Sequence, residues 1–243
     1  MKQFRFLLMP LFAAMAFFVT SCGSDEEKTD ADAAGADTAA TTTVTPEPVA
    51  VAEPVTIMIV KHKVANYAKW KPAYDSHDSA RLANGIHSFV IGRGVPDSNM
   101  VMVATKVDDV AKAKAFAKDP GLKKAMQKGG VVGTPTITIL TVPVLESSDQ
   151  SDLRSMTTNV VKDWDAWRKS FDGNKQLRTD NGLNLRAYGH DVDDNHKVTI
   201  VTSIVDSTKA FAFMKSDALK KARLESGVVG EPTRFIYRVV QTY

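Results

Sequence analysis

Gly130-Val131-Val132-Gly133-Thr134-Pro135-Thr136 returns 97 residues later as Gly227-Val228-Val229-Gly230-Glu231-Pro232-Thr233. Working outward from this block, Val64 to Thr136 aligns with Val161 to Thr233 without a gap, and about 27 of the 73 positions are identical. The matched pairs include Trp70 with Trp167, Asp75 with Asp172, Arg81 with Arg178, Asn84-Gly85 with Asn181-Gly182, and Gly92 with Gly189. A self-similarity at one fixed offset means that a structural unit has been used twice.

Within each copy the apolar periods read as strand, helix, strand, strand, helix, strand. In the first copy Val55 to Lys63 is β-rich, and Tyr67 to Leu82 carries a helical stripe of Tyr67, Trp70, Tyr74, His77 and Arg81. Pro72 is expected to kink that helix or to mark its first turn. Asn84-Gly85 supplies a left-handed helix stop. His87 to Arg93 and Met100 to Val107 form a hairpin around Val95 to Asn99. Asp109 caps a second helix that Asp119-Pro120 interrupts and Gly130 ends, and Thr136 to Val142 is the last strand. This is the split βαβ, ferredoxin-like order, and its class is α+β. One copy covers a single face of its sheet with helices, so a second copy is needed to cover the other.

Val64, Tyr67, Trp70, Tyr74-Asp75, His77, Arg81, Gly85 and the Gly130 to Pro135 block, with their counterparts, resemble the dimeric α/β barrel superfamily. The group most similar is that of antibiotic-biosynthesis-monooxygenase-like small domains, over residues 55 to 243. The resemblance implies two tandem ferredoxin-like repeats, 54–145 and 152–243, packed sheet to sheet as an intramolecular pseudo-dimer. The superfamily hosts cofactor-independent oxygenases, isomerases and haem-degrading enzymes, so fold alone does not choose among them. Haem-degrading members use a sheet tryptophan and a helix histidine. Here Trp70, Trp164 and Trp167 all fall on or near the first helices, and the expectation is that no cofactor is used.

The N-terminus is of another kind. Lys2 and Arg5 precede the apolar run Phe6 to Val19, and Val19-Thr20-Ser21-Cys22 ends it. This resembles a bacterial lipoprotein signal, which implies removal of residues 1–21, lipidation of Cys22 and attachment to a bilayer through its acyl chains. The run is short for a span of about 20 residues. Residues 22–53 are acidic and rich in Ala, Thr and Pro, without apolar periodicity, and read as a tether. The acidic cluster after Cys22 resembles an export signal for outer-membrane lipoproteins displayed at the cell surface.

With Cys22 the single cysteine of 243 residues, no intrachain disulfide and no cysteine metal cage can form. Removing Lys2, Arg5 and Lys28 from 31 basic residues leaves 28. Removing the eight acidic residues up to Glu53 from 28 leaves 20, so the repeats carry about +8. Such a charge favours anionic ligands or surfaces, while nothing interleaves aromatics with arginine as a nucleic-acid platform would. Metal-ligand spacings and nucleophile elbows are absent from the sequence.

The copies differ in one chemical respect. His62, His77 and His87 stand opposite Asn159, Asn174 and Asn184, so each imidazole that could move a proton is replaced by an amide that cannot. Acid–base work therefore falls to the first copy, with His77 and His62 as candidate catalytic residues and Trp70, Tyr74, Arg81 and His87 as candidate ligand contacts. His62 lies on a strand whose two faces the sequence does not distinguish. The bland readings are that the aromatics are helix-to-sheet packing, that Arg81 serves a helix C-terminus, and that His77 satisfies a polar spot. The expected function is binding of a small anionic or aromatic molecule, with cofactor-independent monooxygenase-like activity as the enzymatic option. The alternative is a non-catalytic cell-envelope module with a barrel packed solid.

Overall fold

The computed structural model describes residues 53–146 and 151–243. The apolar run, Cys22 and the tether up to residue 52 lie outside the described residues.

The first repeat runs β1 (Val55–Val64), α1 (Tyr67–Ser76), α2 (Asp78–Leu82), β2 (Ile86–Gly94), β3 (Met100–Val107), α3 (Val110–Ala117), α4 (Pro120–Lys128) and β4 (Val131–Leu145). The second repeats it as β5 (Leu153–Val161), α5 (Trp164–Gly173), α6 (Lys175–Asp180), β6 (Leu183–Asp191), β7 (Lys197–Ile204), α7 (Ser207–Phe213), α8 (Asp217–Glu225) and β8 (Val228–Thr242). Side-chain caps start the helices where the sequence places them. Asn66 Oδ1 accepts from the Lys69 amide at 3.1 Å, Asp109 from Lys112 at 2.9 Å, and Asp119 from Leu122 at 3.0 Å. Such caps satisfy amide groups that a first turn leaves unpaired.

Two boundaries differ from the expectation. The helix read over Tyr67 to Leu82 continues through Pro72, which sits on an exposed face, and breaks instead at His77. There the His77 amide bonds back to Tyr74 O at 3.2 Å, and Arg81 Nη1 donates to the same carbonyl at 2.7 Å. The carbonyl that would continue the helix is thus taken by a guanidinium. Asn174 marks the same break between α5 and α6. The last strands are also longer than read, beginning immediately after Gly130 and Gly227, whose φ values are 82° and 81°.

All eight strands close one antiparallel barrel in the order β1-β3-β2-β8-β5-β7-β6-β4. Each repeat supplies a four-stranded sheet, and the two are joined by β2·β8 and β4·β6. The last strand of one repeat thereby covers the open edge of the other, which removes both unpaired edges. Alternation along each strand separates two cores. Ile57 and Ile59 of β1 face the lumen with Met102, Ala104, Leu140, Val142, Met156 and Tyr237. Met58 and Val60 face the helices with Ile86, Val107, Ala113, Phe116 and Ile139.

The repeated Gly-Val-Val-Gly block has a structural consequence beyond stopping a helix. Between Lys61↔Thr136 and Lys63↔Val132, β1 advances two residues while β4 uses four. The same step occurs between Thr158↔Thr233 and Val160↔Val229. Gly133 and Gly230 take φ of 73° and 70° inside these bulges, a region that costs other residues steric strain. Pro135 and Pro232 have no amide hydrogen to offer a ladder. The bulged segments lie opposite His62 and Asn159.

Candidate functional site

His62 shares the face of Met58 and Val60, so its side chain points from the sheet into the helix layer. It is 4 % exposed, and neither ring nitrogen has a hydrogen-bond partner. Burial pulls its pKa down to about 4, because the apolar surroundings penalise the charged form. The imidazole is therefore neutral at physiological pH, with one nitrogen able to accept and the other to donate.

Four of the other five sequence-derived candidates gather around it. Trp70 of α1 lies 5.5 Å from His62 between ring centroids and stacks on Tyr74 at 5.1 Å. The Tyr74 hydroxyl pairs with Ser88 Oγ at 2.8 Å, and burial raises its pKa. His77, at the break between α1 and α2, carries a buried Nδ1 without a partner and lies 6.4 Å from the Phe116 ring. Arg81 lies over the Tyr74 ring, 3.8 Å from its centroid, and bonds Asp78 at 2.9 Å. Together with Val103, Thr105, Phe116, Leu122, Ala125 and Met126 they enclose a cavity of about 80 Å³. That holds a single ring, below the about 300 to 1,000 Å³ of common ligand pockets.

His87 is not brought to this site. It lies on β2 in an exposed hydrogen bond between its Nε2 and Asp108 Oδ2 at 2.8 Å. Arg81 is present, but its guanidinium is committed to the Tyr74 carbonyl, as the bland reading had it, and Arg178 does the same at the Phe171 carbonyl. The second repeat has its own cavity of about 100 Å³, in which Asn159, Asn174, Trp167, Phe171 and Arg178 take the corresponding places. Asn159 is equally buried, with its Oδ1 unpartnered. The helix-side pockets are thus a matched pair, one carrying imidazoles and one carrying amides.

Sequence reasoning missed the far wall of the first pocket. Phe116, Leu122 and Met126 come from α3 and α4, and only the packing of the two helix pairs brings them over β1. It also missed the lumen. The barrel is not packed solid: a partly open cavity of about 620 Å³ lies between the two sheets, where the non-catalytic alternative expected a filled barrel. Among the described residues no group of three or more metal-ligating side chains converges, and no helix is long and apolar enough to cross a membrane.

The closed eight-stranded sheet with helices outside both halves is the dimeric α/β barrel fold, with both halves in one chain. Among solved structures the chain is similar to an anthrone oxidase-like protein, with a TM-score of 0.56 and 14% identity over 80% of this chain and 95% of that one. It is similar to a candidate monooxygenase of Fusobacterium nucleatum, with a TM-score of 0.53 and 13% identity over 78% and 94%. A candidate monooxygenase of Lactobacillus acidophilus gives 0.51 and 12% over 77% and 94%. The likeness is one of fold. The chain matches no family model and no curated protein.

Proposed function

We propose that the protein is a membrane-anchored lipoprotein whose first-repeat pocket binds a small aromatic molecule and serves cofactor-independent, monooxygenase-like chemistry. The observation that carries this reading is the pair of imidazoles, His62 and His77, presenting unpartnered buried nitrogens to one aromatic-walled cavity. Buried polar atoms without partners are uncommon, and these face a cavity in which a ligand group could meet them. His77 can take a proton from an acidic C–H or phenolic O–H while neutral His62 hydrogen-bonds the substrate and Trp70 and Tyr74 hold the ring. Dioxygen would then add to the carbanion. One oxygen atom enters the product and the other leaves as water, with the electrons drawn from the substrate's own C–H bonds.

The probes are single rings, matched to the cavity. Hydroquinone is offered to the full chain and oxygen uptake is followed, with phenol titrated separately as a ligand. His62→Asn and His77→Asn, which copy the second repeat, are expected to keep the fold and to lower turnover about 10²- to 10⁴-fold, the usual worth of a positioned base. Absence of uptake in the unaltered protein, together with no phenol binding, would remove the reading.

The anchor rests on Lys2, Arg5, the apolar run and Cys22. Acyl chains on Cys22 would hold the barrel at the outer membrane, with the acidic residues after it directing surface display. Intact-mass analysis of the membrane fraction is expected to find Cys22 as an acylated N-terminus, and protease applied to whole cells is expected to release the barrel. An unmodified Met1 in the soluble fraction would contradict it.

A further inference from the structure

Lumen positions can be paired across the 97-residue offset, and the pairing is chemically lopsided. Ile57, Phe89 and Leu140 of the first repeat stand where the second has Arg154, Arg186 and Tyr237, and all six line the lumen. At these positions the first repeat is apolar and the second is polar and cationic; Lys106 is the first repeat's own cation in the lining, its Nζ 4.9 Å from the Phe89 ring centroid. The cavity, at about 620 Å³, is several times larger than either helix-side pocket and falls inside the range of ordinary ligand sites.

Guanidinium groups are costly to enclose unless an anion or a set of acceptors meets them. Arg154 donates from Nη2 to the Ser151 carbonyl at 3.3 Å, while its Nε is buried without a partner. Tyr237 is 2 % exposed. Burial pushes its hydroxyl up to about 12, and the charges of Arg154 and Arg186 act in the opposite direction, which sets both guanidiniums near that hydroxyl. Among the described residues no acid pairs with Arg154, and Asp152 in the same lining is engaged by Arg238 at 2.8 Å.

We propose that the barrel lumen binds a single-chain amphipathic carboxylate, its apolar body against Ile57, Phe89 and Leu140 and its anionic head on Arg154 beside the Tyr237 hydroxyl. This site is separate from the helix-side pocket, because period-2 alternation sends Ile57 and His62 to opposite faces of β1. An aliphatic body suits Ile57, Phe89 and Leu140, which offer bulk and no polar group. A carboxylate suits the second, where a guanidinium can donate through two nitrogens.

Decanoic acid carrying a diazirine on its chain serves as the probe. Irradiated with the full chain and followed by peptide mass spectrometry, it is expected to label the strands that hold Ile59, Met102 and Met156. Arg154→Ile, which installs the first repeat's residue, is expected to lower that labelling at least tenfold, and the corresponding diazirine decylamine should label at background. Arg154→Gln, which keeps a polar side chain and removes the charge, is expected to do the same and covers the case in which Arg154→Ile does not fold. Unchanged labelling in a folded variant, equal labelling by the amine, or labels confined to the helices would overturn the proposal. His62→Asn and His77→Asn must leave the labelling unchanged, so this site and the helix-side pocket stand or fall separately.

Discussion

The His62 imidazole lies 5.5 Å from the Trp70 indole, tilted by 54°, with no polar atom in reach of either ring nitrogen. An aromatic neighbour and an apolar strand face thus set the proton affinity of the one titratable group that β1 sends into the helix layer.

That arrangement makes stability depend on pH in a defined window. His62 has a folded-state pKa of about 4 against 6.5 when unfolded, so the unfolded chain binds the proton more tightly. Its contribution is complete above about pH 6.5 and is lost as pH falls toward 4. Urea unfolding at pH 7.5 and 4.5 is expected to show about 2 to 3 kcal/mol more loss in the unaltered protein than in His62→Asn. Equal loss in both would show that His62 is not buried as a neutral ring.

Trp70 and Trp167 are 4 % and 1 % exposed and occupy equivalent places. Trp167 stacks on both Trp164 and Phe171, at 5.4 and 4.9 Å. Trp167→Ala is expected to cost about 3 to 5 kcal/mol in chemical denaturation, as large-to-small core changes do. Trp70→Ala should fall in the same range and should additionally abolish phenol binding. A cost below about 1 kcal/mol for either would mean that the helix layer is not packed on these rings.

Gly92 has the Tyr237 ring lying against it, and a Cβ there would sit 2.2 Å from Tyr237 Cδ2. Gly92→Ala must therefore displace the ring from its place in the lumen. The expected outcome is a loss of about 1 to 3 kcal/mol by overpacking, with a change in tyrosine fluorescence. A variant as stable as the parent would place Tyr237 elsewhere.

The His87–Asp108 pair is exposed on both sides, at 46% and 66% of side-chain area. His87→Gln is expected to leave stability within about 0.5 kcal/mol, because an exposed polar contact competes with water. It should also leave turnover and phenol binding unaltered. A fall in either activity would return His87 to the site from which the fold separates it.

Much of the fold was legible because it is written twice. A local period of 2 or 3.6 specifies strand or helix, and the 97-residue offset required every element to appear again, so the strand Met100 to Val107, the cap Asp109 and the break at Asp119-Pro120 fall where the sequence puts them. The break at His77 was not legible, since it depends on Arg81 folding back to the Tyr74 carbonyl. Of the site, His62, Trp70, Tyr74, His77 and Arg81 were named as a set and do converge. Phe116 and Met126 were not, because they reach the pocket only through packing between the helix pairs.

By itself the sequence determined two copies of one α+β unit, the order of their elements, and the imidazole-to-amide difference between them. Tertiary structure alone decided that β8 completes the first sheet and β4 the second, that His62 faces helices, and that Arg154 faces a cavity. The reason is physical. Alternation along a strand tells which residues share a face but not which face is inside. That is settled only when β2 meets β8 and β4 meets β6, and the closed barrel gives each sheet an inner side.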